Sequence, residues 1–298
     1  MAMPKEIRPL TGLRGIAALY AMGFHYFIGL GFSSHFATLM SHGYLAVDLF
    51  FCLSGFVMAL SYGHMFAGNW SSAAYFSFIG RRIARIYPLY LVVTVTAFLL
   101  TLCGWLATTA SSGVTLALNV ALNLAMVQVW GFADSFDGAA WSLSAEWAAY
   151  LIFPILLVPA LRRRSSVAWL TGIVCVSIIM LLPTLRLFIG GRSAPHALLD
   201  IFEPAMGLPV LRCLAEFTLG LVAYRIAFTP FGMHFAASGW AAPIVLLTTL
   251  ALMTVTDLDA AIVTMFVACL VVLSSEQNGP AKWLSCYPVQ LAGRLSYS

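Results

Sequence analysis

Hydrophobic residues run along this chain in long unbroken stretches, with polar residues confined to short breaks between them. Stretches long enough to cross a hydrocarbon layer of about 30 Å fall near 11–31, 43–62, 86–106, 141–160, 166–190, 207–225, 239–256 and 260–274. A further stretch at 113–130 carries Asn119, Asn123 and Gln128, and reads as a re-entrant or interfacial helix. The pattern predicts an all-α fold, a polytopic integral membrane helical bundle. No internal repeat or low-complexity linker interrupts it, so residues 1–298 are expected to form a single membrane domain with no soluble second domain. The final LAGRLSYS reads as the opening of another span, so the domain is expected to be truncated there, because a half-span leaves backbone groups unsatisfied in lipid.

The polar breaks set an orientation. Cations lie at Lys5 and Arg8, Arg81, Arg82 and Arg85, Arg162 to Arg164, Arg225 and Lys282, and basic residues favour the cytoplasmic face. All of them share that face if 113–130 does not cross. The N-terminus is then cytoplasmic, and the Asp257/Asp259 turn and the 132–140 loop, with Asp134 and Asp137, lie outside.

Composition strengthens this reading. The chain is 61% hydrophobic and 9% charged, whereas soluble domains carry about a quarter charged residues. A net charge of +4 gives no reason to expect a nucleic-acid partner. The six cysteines are scattered without metal-ligand spacing and read as packing residues. The first apolar run lacks a small-residue cleavage site and reads as an uncleaved first helix.

Ionisable groups at bilayer depth are costly and mark candidate chemistry. Arg14 and His25 are eleven residues apart, about three helical turns or roughly 16 Å on one face. Asp48 lies in GYLAVDLFFCLSGF, where it could orient His25, pair with Arg14 or form a structural ion pair. Arg82 and Arg85 share a face on what reads as the first turn of the third span, where the helix dipole would favour a phosphate. Glu146 sits one turn into WSLSAEWAAYLIFP between Trp141 and Trp147, which look like interfacial anchors. Arg212 and Glu216 are spaced for a local ion pair of structural character.

In order, RPLTGLRGIAALYAMGFHYF, GYLAVDLFFCLSGF, RRIARIYPLY, WSLSAEWAAYLIFP, RCLAEFTLG and GRLSYS resemble motifs of the membrane-bound acyltransferase-3 family, which includes O-acetyltransferases of O-antigen, peptidoglycan and exopolysaccharide. The resemblance implies about ten membrane helices in a bacterial inner membrane. It implies transfer of an acyl group, usually acetyl from acetyl-CoA, to a hydroxyl of a glycan or glycolipid acceptor, without a metal. It places catalysis on His25, Asp48 and Glu146, donor binding on Arg14, Arg82 and Arg85, and substrate contacts on Ser54, Trp141 and Tyr297. Neutral His25 would act as general base, with Asp48 or Glu146 stabilising the imidazolium; a covalent acyl-histidine relay is the variant. Acceptor specificity would sit in outward-facing loops and in 191–205, with Arg192, His196, Asp200 and Glu203. The competing readings are a proton-coupled transporter, in which the same charges form a relay, and a non-catalytic scaffold.

Overall fold

The computed structural model describes residues 6–27, 35–66, 68, 71–105, 115–133, 135–161, 165–189, 198–201 and 207–296. Among these the chain is helical, with short 3-10 turns and no strand. Expectations concerning Lys5, Asp134, Arg162 to Arg164, Arg192, His196, Glu203 and Tyr297 lie outside the described residues.

The first part comprises α1 (Arg8–Phe27), α2 (His35–Ser41), a 3-10 turn (His42–Leu45), α3 (Ala46–Tyr62), a second 3-10 turn (Gly63–Phe66), α4 (Ser72–Leu102) and α5 (Leu116–Leu124). Then come α6 (Trp141–Leu151), α7 (Phe153–Leu161), α8 (Ser165–Phe188) and α9 (Leu208–Ala227). The last part holds α10 (Pro230–Ala237), α11 (Ala241–Leu252), α12 (Asp259–Val272), α13 (Gly279–Leu284) and α14 (Tyr287–Leu295).

Helix α9 is the hub. It packs against α3, α6, α7, α8 and α12 and is buried around most of its circumference, Arg212 and Glu216 included. Its contact with α3 is close because a glycine sits on each side. A Cβ on Gly220 would lie 1.9 Å from the Cys52 carbonyl oxygen, and one on Gly55 would lie 1.9 Å from that of Phe217. In lipid, such small-residue contacts supply packing that apolar burial alone does not.

The spans differ from the sequence expectation. Three helical stretches, Ala37–Phe66, Ser72–Leu102 and Ser165–Phe188, are long and apolar enough to cross a membrane. Two bent pairs, α6 with α7 at 67° and α10 with α11 at 82°, bring the number to at most five. These apolar helices point to a membrane protein, but the expected count of about ten is not reached among the described residues. The stretch at 260–274 gives only the 14-residue α12. Helices α1 and α9 are each 20 residues long, but they carry the ionisable side chains Arg14, His25, Arg212, Glu216 and Arg225. The expected 141–160 span breaks at Ile152, the C-cap of α6, where Pro154 lacks the N–H needed to continue the helix. The 113–130 stretch forms the nine-residue α5 followed by turns. Its polar residues are used internally: Tyr90 Oη donates to the Asn123 carbonyl at 2.6 Å, and Gln128 Nε2 donates to Tyr90 Oη at 3.2 Å. Asp259, at the start of α12, has its own internal partners. It is buried, accepting from Tyr44 Oη at 2.5 Å and Leu199 N at 2.8 Å.

Candidate functional site

Polar side chains from α1, α3, α4 and α6 meet around a cavity of about 470 Å³, within the range of small-molecule sites. Of the candidates, Arg14, His25, Ser54, Arg82, Arg85, Trp141 and Glu146 line it. Ser296, which precedes the undescribed Tyr297, lines it too.

His25 lies in the last turn of α1 and is exposed. The preceding Phe24 is buried, its ring 5.2 Å from the imidazole and 6.0 Å from the Tyr44 ring. The turn carrying Tyr44 approaches closely because residue 43 is glycine: a Cβ there would lie 2.3 Å from that of Phe24. The end of α1 is therefore seated on the turn before α3. Nearer its start, Arg14 Nη2 donates to the Gly293 carbonyl at 3.0 Å, tying α1 to α14.

At the opposite wall, Arg82 is buried at 6% exposure despite its charge. Its Nη2 donates to Tyr62 Oη at 2.6 Å, and its Cζ lies 4.8 Å from the Tyr62 ring centre and 5.9 Å from that of Tyr150. The expectation that these arginines occupy a first helical turn is wrong. Helix α4 begins at Ser72, with Ser71 as its cap, its Oγ accepting from Ala74 N at 3.3 Å. Arg82 therefore lies ten residues inside the helix, roughly 15 Å from its N-terminus. The dipole and free N–H groups act only within the first turn, so the start of α4 does not contribute to binding an anion here.

Glu146 is on α6, where its Oε1 accepts from Tyr150 Oη at 2.6 Å. Tyr150 Oη in turn lies 3.1 Å from Ser54 Oγ. Sequence reasoning missed Tyr150, although its signal was present: it stands four residues after Glu146, one turn along the same helical face. Tyr62 carried no comparable signal.

Asp48 is the candidate that does not join the cavity. It is fully buried behind the wall, where Arg212 Nε donates to its Oδ1 at 2.8 Å and Arg212 Nη2 bonds its Oδ2. It contacts neither His25 nor Arg14 as an ion-pair partner, because a bidentate guanidinium fork on α9 satisfies both carboxylate oxygens. Arg212 also lies 3.6 Å from Glu216 Oε1, so the local pair read from the sequence belongs to a three-residue charge cluster. From the region read as specificity-determining, Ile201 contributes its carbonyl to Arg212 Nη1 at 3.3 Å. The cluster backs onto the cavity through Trp141, whose ring centre is 5.7 Å from Arg212 Cζ. Among the described residues, no group of three or more His, Cys, Asp and Glu is arranged to hold a metal ion.

A family profile described as an acyltransferase domain matches residues 8–298. Over 239 residues the chain is 32% identical to "Acyltransferase MdmB" of Streptomyces mycarofaciens, a match covering 76% of this chain and 59% of that protein. Over 89 residues it is 38% identical to "Protein 2 in picA locus" of Rhizobium radiobacter, covering 30% of this chain and 42% of that protein. The chain thus spans about 59% of the length of the first relative and 42% of the second. No solved structure matches.

Proposed function

The chain belongs to the acyltransferase-3 family, and from that membership we propose that it moves an acetyl group from acetyl-CoA to a hydroxyl of a sugar-containing acceptor at the bacterial inner membrane. The observation that carries the reading is the convergence of His25, Glu146, Arg14, Arg82 and Arg85 on one cavity. This is the complement that acyl transfer from a phosphate-bearing thioester needs: a base, a carboxylate and cations.

In this reading Arg14, Arg82 and Arg85 hold the donor. A base positioned to take a proton contributes typically 10²–10⁴-fold, and His25 takes it from the acceptor hydroxyl as its oxygen attacks the thioester carbonyl. The carbonyl-rich end of α1 is a favourable place for the transient imidazolium charge. As the tetrahedral centre collapses, the C–S bond breaks and the imidazolium returns its proton to the departing thiolate. Glu146 assists from the same cavity, oriented by Tyr150, and Ser54, Trp141 and Tyr297 contact substrate. Asp48 takes no part in proton transfer here and instead holds Arg212 behind Trp141.

The test is release of free thiol from acetyl-CoA by purified protein, with and without lipid-linked glycans. The proposal expects acceptor-dependent release and an acetylated glycan by mass spectrometry. Proton-coupled glycan uptake without thiol release would favour a transporter. Acceptor binding with neither activity would favour a scaffold.

A further inference from the structure

A second chamber, of about 370 Å³, adjoins the active cavity and shares Arg14, Leu53 and Val57 with it. Its other polar lining comes from Glu6, Thr11, Ser61 and Arg294. Two guanidinium groups, Arg14 on α1 and Arg294 on α14, therefore face one space, whereas Arg82 and Arg85 line only the active cavity.

The two helices are locked together where those arginines emerge. Besides the Arg14 bond to Gly293, Gln290 Nε2 donates to the Arg8 carbonyl at 2.7 Å and to the Leu284 carbonyl at 2.8 Å. The backbone positions from which the two arginines extend are thus set by helix packing rather than by loops. Such a pair suits phosphate oxygens, which planar N–H forks bind bidentately. Glu6 Oε1 accepts from Thr11 Oγ1 at 2.9 Å, which leaves a carboxylate acceptor for ribose hydroxyls or a base amine, but none for phosphate.

Position matters as much as chemistry. The chamber lies along the first part of α1, from Glu6 to Arg14, and His25 lies eleven residues beyond Arg14, roughly 16 Å along the axis. We propose that this chamber holds the phosphorylated nucleotide end of a coenzyme A thioester, with Arg294 and Arg14 as its phosphate ligands. The pantetheine arm passes Arg14 over the shared Leu53 and Val57 lining of α3 into the active cavity. Arg82 and Arg85 then meet the thioester half of the donor. The inference rests on the donor assignment made above and divides that donor between two chambers.

The experiment compares binding of coenzyme A and of pantetheine, which lacks the nucleotide, to the purified full chain by calorimetry. Charge-assisted hydrogen bonds contribute about 1.5–3 kcal/mol each, so Arg294→Ala should cut the preference for coenzyme A over pantetheine by about tenfold or more. Arg294→Lys, a point charge without the fork, should restore part of that preference. Arg294 is exposed, so both variants are expected to fold. An unchanged preference in Arg294→Ala, whether the two affinities fall together or stay as they were, overturns the assignment. If the unaltered protein binds neither compound, the donor reading itself fails, and this inference with it.

Discussion

Neutralising Asp48 separates a structural role from a chemical one. Asp48 receives two hydrogen bonds from Arg212, in a site where both side chains are at most 1% exposed. Glu216, also buried, approaches Arg212 only to 3.6 Å. Charge-assisted hydrogen bonds contribute about 1.5–3 kcal/mol each, and breaking a buried pair costs about 3–5 kcal/mol. Asp48→Asn should therefore destabilise the protein by about 3 kcal/mol, more than a hundredfold in the unfolding equilibrium. Glu216→Gln, which leaves both Arg212 hydrogen bonds to Asp48 in place, should cost less than Asp48→Asn. The assay is denaturant titration in mixed micelles followed by helical circular dichroism, paired with acetyl transfer per folded molecule. Transfer by Asp48→Asn should fall only as folded protein falls. Abolished transfer at unaltered stability would show that Asp48 acts on the reacting groups, and equal destabilisation by both variants would refute the argument from hydrogen-bond geometry.

Three further outcomes follow from the site. Gly43→Ala would set a Cβ 2.3 Å from that of Phe24, pushing the end of α1 by about 1 Å; displacement on that scale costs about 10² in rate, so kcat should drop while membrane insertion persists. Arg82→Lys keeps the charge but cannot both bond Tyr62 and pack on the Tyr62 and Tyr150 rings, so donor affinity should fall about tenfold in a binding titration. Tyr150→Phe removes the hydroxyl that orients Glu146, a loss of about 1–3 kcal/mol that steady-state kinetics should register as at least a fivefold lower rate; an unaltered rate would remove Tyr150 from the site.

How much of this was legible in the sequence depends on the distance between partners. Arg14, His25, Arg82, Arg85 and Glu146 stood out because each is an ionisable group in an apolar helix, and the fold gathers all five at one cavity. Asp48 stood out equally, but its partner lies 164 positions further along. Sequence reasoning could pair Arg212 only with its local neighbour Glu216, because helical spacing is visible in one dimension and the α3–α9 contact is not. Helix starts were misread for a related reason. An apolar run marks where a helix enters lipid, not where its hydrogen bonding begins, so the first two turns of α4, from Ser72, were overlooked. The span broken at Ile152 likewise remained continuous as hydropathy, although Pro154 was in plain view.

Transfer by His25→Ala tests the central claim most directly. Acetyl groups delivered from acetyl-CoA to the acceptor are counted by mass spectrometry, in protein shown by circular dichroism and coenzyme A binding to be folded. Loss of a positioned base predicts a fall of about 10²–10⁴-fold, with donor affinity close to that of the unaltered protein. Transfer by His25→Ala at the unaltered rate would contradict the account.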